Sequence, residues 1–164
     1  MSSAPTGVES TAVRFELNGN ETTFELPVRW TLADMLRDRA GLTGTHLGCE
    51  HGICGACTVL LDGEPVRSCL ILAPQVEGRN VRTIECLAGG GELHPMQRAF
   101  REHHALQCGY CTPGFIMLAA GLLEQEPDAS ERRVREVLSS NLCRCTGYTP
   151  ILRAVLAAQE ELLA

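Results

Sequence analysis

Alternation of apolar and polar residues opens the patterned part of the chain. Val13, Phe15 and Leu17 are separated by polar neighbours, and Thr22-Thr23-Phe24-Glu25-Leu26 repeats the pattern after Asn18-Gly19-Asn20. A period of two marks half-buried strands, and Asn and Gly tolerate the positive φ of a tight turn, so the segment predicts a β-hairpin. Leu32, Met35 and Leu36 then share one helical face. Thr31 stands before them as a cap, Asp34 follows three residues later, and Gly41 lies just past the end, which predicts a short helix. Residues 43–55 read as a loop. Thr58-Val59-Leu60-Leu61, the turn Asp62-Gly63 and Pro65 to Leu70 predict a second hairpin, and Val81-Arg82-Thr83-Ile84 a final strand. Met1 to Ser10 are small and polar without periodicity and read as a frayed tail.

Beyond Gly89-Gly90-Gly91 the period changes from two to that of a helix, which places a domain boundary at this linker. Four helices are predicted, over residues 95–106, 113–125, 131–139 and 150–162. Thr112-Pro113 and Thr149-Pro150 set a capping hydroxyl before a proline at the first helical position, and Asp128 with Glu131 makes a capping-box pattern.

Composition adds one anomaly. With 45% hydrophobic and 21% charged residues in 164, the chain has the make-up of an ordinary globular protein, yet nine of its residues are cysteine. Its apolar runs are too short and interrupted to span a bilayer, and the N-terminus lacks a basic start and an apolar h-region, so the expectation is a cytoplasmic protein with no membrane span. Thiols stay reduced there, and cysteine patterns then point to metal binding or catalysis rather than to disulfides. Twenty acidic against 14 basic residues give a net charge of −6, and the basic residues are dispersed arginines. Nucleic-acid binding is disfavoured by that charge and by only 4% aromatic residues.

The first cysteine set is Cys49-x4-Cys54-x2-Cys57 with Cys69 further on, the plant-type [2Fe–2S] spacing. Gly48, Gly52, Gly55 and Ala56 leave room for backbone amides to turn inward toward a negative cluster. Cys69 is expected on the strand after the hairpin. A zinc site normally presents two short knuckles, and a Rieske centre needs a second Cys-x2-His, so both are the lesser readings and His51 is read as a loop residue. The second set, Cys108-x2-Cys111 and Cys143-x-Cys145, falls at interhelical turns, where unpaired N–H groups at helix starts favour a negative cluster. Zinc is a fair competitor for this set on spacing alone. Cys86 belongs to neither set and reads as a buried free thiol at the end of a strand.

Three segments carry a family resemblance: Gly48-Cys-Glu-His-Gly-Ile-Cys-Gly-Ala-Cys57, Gln107-Cys-Gly-Tyr-Cys-Thr-Pro-Gly114 and Asn141-Leu-Cys-Arg-Cys-Thr-Gly-Tyr148. From about Val13 to the C-terminus the chain resembles the iron–sulfur subunit of molybdenum hydroxylases of the xanthine oxidase family, which includes aerobic carbon monoxide dehydrogenase and bacterial dehydrogenases of N-heteroaromatic compounds. The resemblance implies an α+β protein: an N-terminal β-grasp, plant-type [2Fe–2S] ferredoxin domain, residues 11–88, and an all-α four-helix-bundle [2Fe–2S] domain, residues 92–164. It also implies partners, namely a large catalytic subunit with molybdenum on a molybdopterin dinucleotide and a medium FAD subunit, in a dimer of heterotrimers. Gln107 and Cys145 would then lie nearest the pterin. For Gln107 the plainer reading is an amide capping its own turn, and for Arg144 it is local charge balance.

The reading that follows is an oxidoreductase subunit that catalyses nothing alone. Electrons from molybdenum would pass through the Cys108/Cys111/Cys143/Cys145 cluster, then the Cys49/Cys54/Cys57/Cys69 cluster, to FAD. The alternatives are a free-standing two-cluster ferredoxin and a colourless zinc adaptor. No paired carboxylates or Cys–His arrangement stands out for catalysis, and His103-His104 reads as an exposed helical pair. The substrate of the complex would be set by the large subunit's pocket.

Overall fold

The computed structural model describes residues 9–89 and 91–164; most of the predicted tail, residues 1–8, and the middle glycine of the linker lie outside them. Strand β1 (Ser10–Leu17) buries Val13, Phe15 and Leu17 on one side, as the alternation requires, and pairs antiparallel with β2 (Asn20–Pro27). Asn18 and Gly19 turn the chain with φ of 52° and 80°. Helix α1 (Leu32–Asp34) carries the expected capping box between Thr31 and Asp34, and continues through a π-helical turn, Met35–Arg39, to Gly41 at φ 72°. Strands β3 (Thr58–Leu61), β4 (Glu64–Arg67) and β5 (Asn80–Arg82) complete a five-stranded sheet in the order β2-β1-β5-β3-β4. β1 and β5 run parallel, while the other neighbours are antiparallel.

The second strand pair ends earlier than the sequence suggests. Pairing stops at Arg67, and Ser68–Leu70 forms a 3₁₀ turn, so Cys69 sits on that turn rather than on a strand. Ser68 drives the bend: its buried hydroxyl donates to the Cys57 carbonyl at 2.7 Å. Likewise the last strand ends at Arg82, and Cys86 falls on the 3₁₀ turn Ile84–Cys86, half-buried, with its thiol donating to the Thr83 carbonyl at 3.1 Å.

Helices α2 (Pro95–Glu102), α3 (Thr112–Gln125), α4 (Glu131–Leu138) and α5 (Thr149–Leu163) pack around Phe100, Phe115, Val134, Ile151 and Val155. α2 stops short of the expected Leu106. His104 takes φ 51°, Ala105 N–H reaches the Phe100 carbonyl and His104 N–H the Arg101 carbonyl, a Schellman closure, so the histidine pair caps the helix rather than lying within it. The capping expectations also shift. Thr112 and Thr149 are themselves the first helical residues, after Cys111 and Tyr148, because the prolines occupy the next first-turn position, where a missing N–H costs nothing. At α4 the cap is Ser130, whose hydroxyl accepts from Arg133 N–H, not Asp128.

α3 lies against β3 and β4 and welds the two units together. A Cβ on Gly121 would come within 2.7 Å of Leu60 Cδ2, so glycine is what allows this approach. Ten of the 14 residues of α3 are buried, which explains its near-continuous apolar sequence.

Candidate iron–sulfur sites

In the loop between α1 and β3, Glu50, Gly52 and Gly55 have φ of 53°, 77° and 74°. These left-handed residues curl the backbone around Cys49. His51 N–H and Cys54 N–H point at its sulfur, at 3.4 and 3.3 Å. Those two amides, Cys54 first, hold the Cys49 thiol down at about 6. Cys57 and Cys69 are buried beside Ala33 at the base of the loop. Burial, followed by the facing Cys57 side chain, pushes Cys69 up to about 11, and burial likewise raises Cys54 beside Cys49. The loop and the Ser68–Leu70 turn thus bring the four predicted positions together. His51 stays exposed, with its ring turned to the Cys49 carbonyl.

The second set is built by tertiary packing. Cys108 and Cys111 lie in the turn before α3, and Cys143 and Cys145 in the turn between α4 and α5. Cys108 and Cys145 are exposed with their sulfurs 3.7 Å apart, and the Cys145 thiol is raised by its Cys108 partner. Burial, then Cys143, pushes Cys111 up to about 12. Burial opposes ionisation of Cys143, but the Thr146 hydroxyl and amide, at 3.1 and 3.3 Å from its sulfur, outweigh it and lower the thiol. Gln107 caps nothing of its own. Its amide donates to the Cys145 carbonyl at 3.0 Å and ties the two turns together.

The sulfurs of Cys108 and Cys145 are in contact, and the other cysteines lie close enough to act on one another's ionisation, 54 with 49, 69 with 57 and 111 with 143. Among the described residues no three His, Cys, Asp or Glu side chains converge on a point that could hold a single ion. Two thiolates per metal at two adjacent metals is the demand of a [2Fe–2S] cluster, and in each pair at least one thiol is pushed up, by burial first at Cys54, Cys69 and Cys111 and by the Cys108 side chain at Cys145. The buried Thr112 hydroxyl next to Cys111 has no partner, as expected beside a group rich in acceptor sulfur. The residues fit the clusters.

Sequence reasoning missed how closely the sites adjoin. Leu142 N–H donates to the Cys54 carbonyl at 2.9 Å, a backbone bond between a cysteine of one set and the neighbour of a cysteine of the other. Tyr110 donates to the Leu47 carbonyl at 2.7 Å and stacks on His46. Gly114 lies so near that a Cβ there would be 2.3 Å from the Gly55 carbonyl oxygen. Glycines at 55 and 114 and a motif asparagine were the available signals.

A sheet unit and a helical unit, each with four cysteines brought together, define a two-cluster [2Fe–2S] protein. The chain matches the 2Fe-2S iron-sulfur cluster binding domain over residues 15–88 and the [2Fe-2S] binding domain over residues 83–156. It is 52% identical to the nicotine 6-hydroxylase small subunit of Paenarthrobacter nicotinovorans, over 96% of this chain and 95% of that one. It is 47% identical to the caffeine dehydrogenase subunit gamma of Pseudomonas sp. strain CBB1, over 95% and 100%. The crystal structure of quinoline 2-oxidoreductase from Pseudomonas putida 86 superposes with a TM-score of 0.89 at 48% identity, covering 92% of this chain and 94% of that one. The chain belongs to the iron–sulfur subunits of the molybdenum hydroxylases of the xanthine oxidase family, as an electron-transfer subunit of an oxidoreductase complex. Among the described residues no helix is long and apolar enough to cross a membrane.

Proposed function

We propose that Cys49, Cys54, Cys57 and Cys69 hold one [2Fe–2S] cluster and Cys108, Cys111, Cys143 and Cys145 the other. The observation that carries this reading is the gathering of each set of four: backbone amides on the Cys49 sulfur above buried Cys57 and Cys69 at one site, and at the other the 3.7 Å contact of Cys108 with Cys145 across two turns tied by Gln107. A cluster at each site supplies one-electron redox chemistry. The chain's own part is to bind, orient and tune: amides on Cys49 and the Thr146 hydroxyl on Cys143 stabilise thiolate sulfur, a lever that sets potential.

Electrons enter at the exposed face of Cys108 and Cys145 and leave at the loop of Cys49 and Cys54. Gln107 and Cys145 stand at the entry face and are the residues proposed nearest the molybdopterin of a large catalytic subunit. Ile53 and Leu70, large apolar side chains 65% and 60% exposed near the other set, suit a covered contact with a medium FAD subunit. Domain limits at 11–88 and 92–164 and a dimer of heterotrimers complete the proposal. Electron paramagnetic resonance of the reduced complex should resolve two distinct [2Fe–2S] signals, with Cys57→Ser abolishing one and Cys111→Ser the other. A single signal in the parent, or zinc in place of iron, overturns the reading. Purification of the chain without larger partners would favour a free carrier instead.

A further inference from the structure

Asn141 is 1% exposed, yet its Oδ1 has no hydrogen-bond partner. An apolar side chain of that size would avoid the penalty of an orphaned buried oxygen. What the carboxamide adds is direction, since its Nδ2 donates to the Gly55 carbonyl at 3.2 Å across the junction of the two sites. A Cβ on Gly55 would fall 2.0 Å from Asn141 Oδ1, so the pair is matched as donor and gap. Its neighbours are pinned to the same loop. Arg67 bridges the Thr58 hydroxyl, at 2.6 Å, to the Ser140 carbonyl, at 2.9 Å, and Leu142 N–H reaches the Cys54 carbonyl. Three consecutive residues leading into Cys143 are thus fastened to the loop that carries Cys54 and Cys57.

We infer that Asn141 is a positioning residue for electron transfer between the two sites, fixing their separation by clamping the turn of Cys143 onto Gly55. This rests on the cysteine assignment above. It adds a residue that touches neither set of sulfurs but spaces them.

The test uses the assembled complex, reduced with dithionite, and reads the magnetic splitting between the two reduced centres, which falls with the cube of their separation. Asn141→Ala is expected to keep both signals and full iron content and to narrow or lose the splitting, with slower electron transfer between the centres. Val134→Ala, a cavity in the helix that leads to the same turn, is expected to lower thermal stability and keep the splitting. Asn141→Leu keeps the size but has no donor for the Gly55 carbonyl, and the same narrowing is expected. Unchanged splitting in either variant overturns the inference, and so does failure of both to assemble, which would make the residue purely structural. Two uncoupled signals in the parent overturn the inference alone, whereas fewer than two overturn the cysteine assignment beneath it.

Discussion

Two sites with the same four donors are made in opposite ways. In the sheet unit a single loop of left-handed residues presents three cysteines, a 3₁₀ turn adds the fourth, and Cys57 and Cys69 are buried at 2% and 7% exposure. In the helical unit two distant turns each give two cysteines, and Cys108 and Cys145 remain exposed. Local backbone geometry builds the first site and helix packing builds the second. The second should therefore depend on its core far more than the first does.

The sharpest way to break that comparison is Phe115→Ala. Phe115 is fully buried at the start of α3 and meets Tyr148, next to the second set, edge-on at 6.4 Å. Emptying such a site costs ~3–5 kcal/mol, a large part of the ~5–15 kcal/mol that holds a domain together. The expected outcome is loss of the helical-unit signal with the sheet-unit signal retained, followed by electron paramagnetic resonance and thermal melting. Equal loss of both would show that the units stand or fall together.

Gly121→Ala addresses the weld between the units. The added methyl would meet Leu60 and Pro65 on β3 and β4. Overpacking costs ~1–3 kcal/mol, against ~1 kcal/mol gained in helix propensity. A net loss of about 1 kcal/mol is expected in a denaturant titration, with both clusters retained.

The same contrast explains what could be read in the sequence. The hairpin at Asn18-Gly19, the Thr31 box and the Cys49 loop are local devices, written in adjacent residues, and the structure reproduces them. Leu106 continues the apolar period and extends the helix expected from sequence, while the Schellman closure at His104 depends on a tertiary condition, the burial of Ala105 with its N–H on the Phe100 carbonyl. The residues from Pro65 to Leu70 continue a strand pattern through Cys69, and nothing in them reveals that Ser68 bonds to Cys57. The second cysteine set, joined only by packing across residues 112–142, was legible mainly through family resemblance. The meeting of Asn141 with Gly55 is a tertiary contact with no local signature.

A smaller effect tests whether surface charge contributes to the weld. Arg82 on β5 forms a bidentate pair with Glu124 on α3, and both side chains are partly exposed. Such pairs are worth ~0.2–1 kcal/mol and are screened by salt. Glu124→Gln should lower the melting temperature slightly at low ionic strength and leave it unchanged at high salt. A loss that persists in salt would mean that Glu124 acts through packing.

The smallest effect compares the acid sensitivity of the two units. The Asn80 amide, then Arg79, holds the Asp62 carboxyl of the β3–β4 turn below its ordinary 3.8. Arg133 alone does the same for Glu126, at the end of α3, below 4.5. A carboxylate lowered in the folded state adds stability that is complete above its unfolded value and is lost as pH falls through the folded one. Both contributions should hold at neutral pH and fade only below about 4. Asp62→Asn and Glu126→Gln should each lower stability slightly at pH 7 and leave it unchanged at the acid end, so that the acid arm of the stability curve is flatter. Because Asp62 takes its bonds from β5 as well as from an arginine, its variant should also loosen the β3–β4 turn, read as faster amide exchange at Asn80. Glu126→Gln should leave exchange in the α3 core unchanged, since its partner lies one exposed turn away.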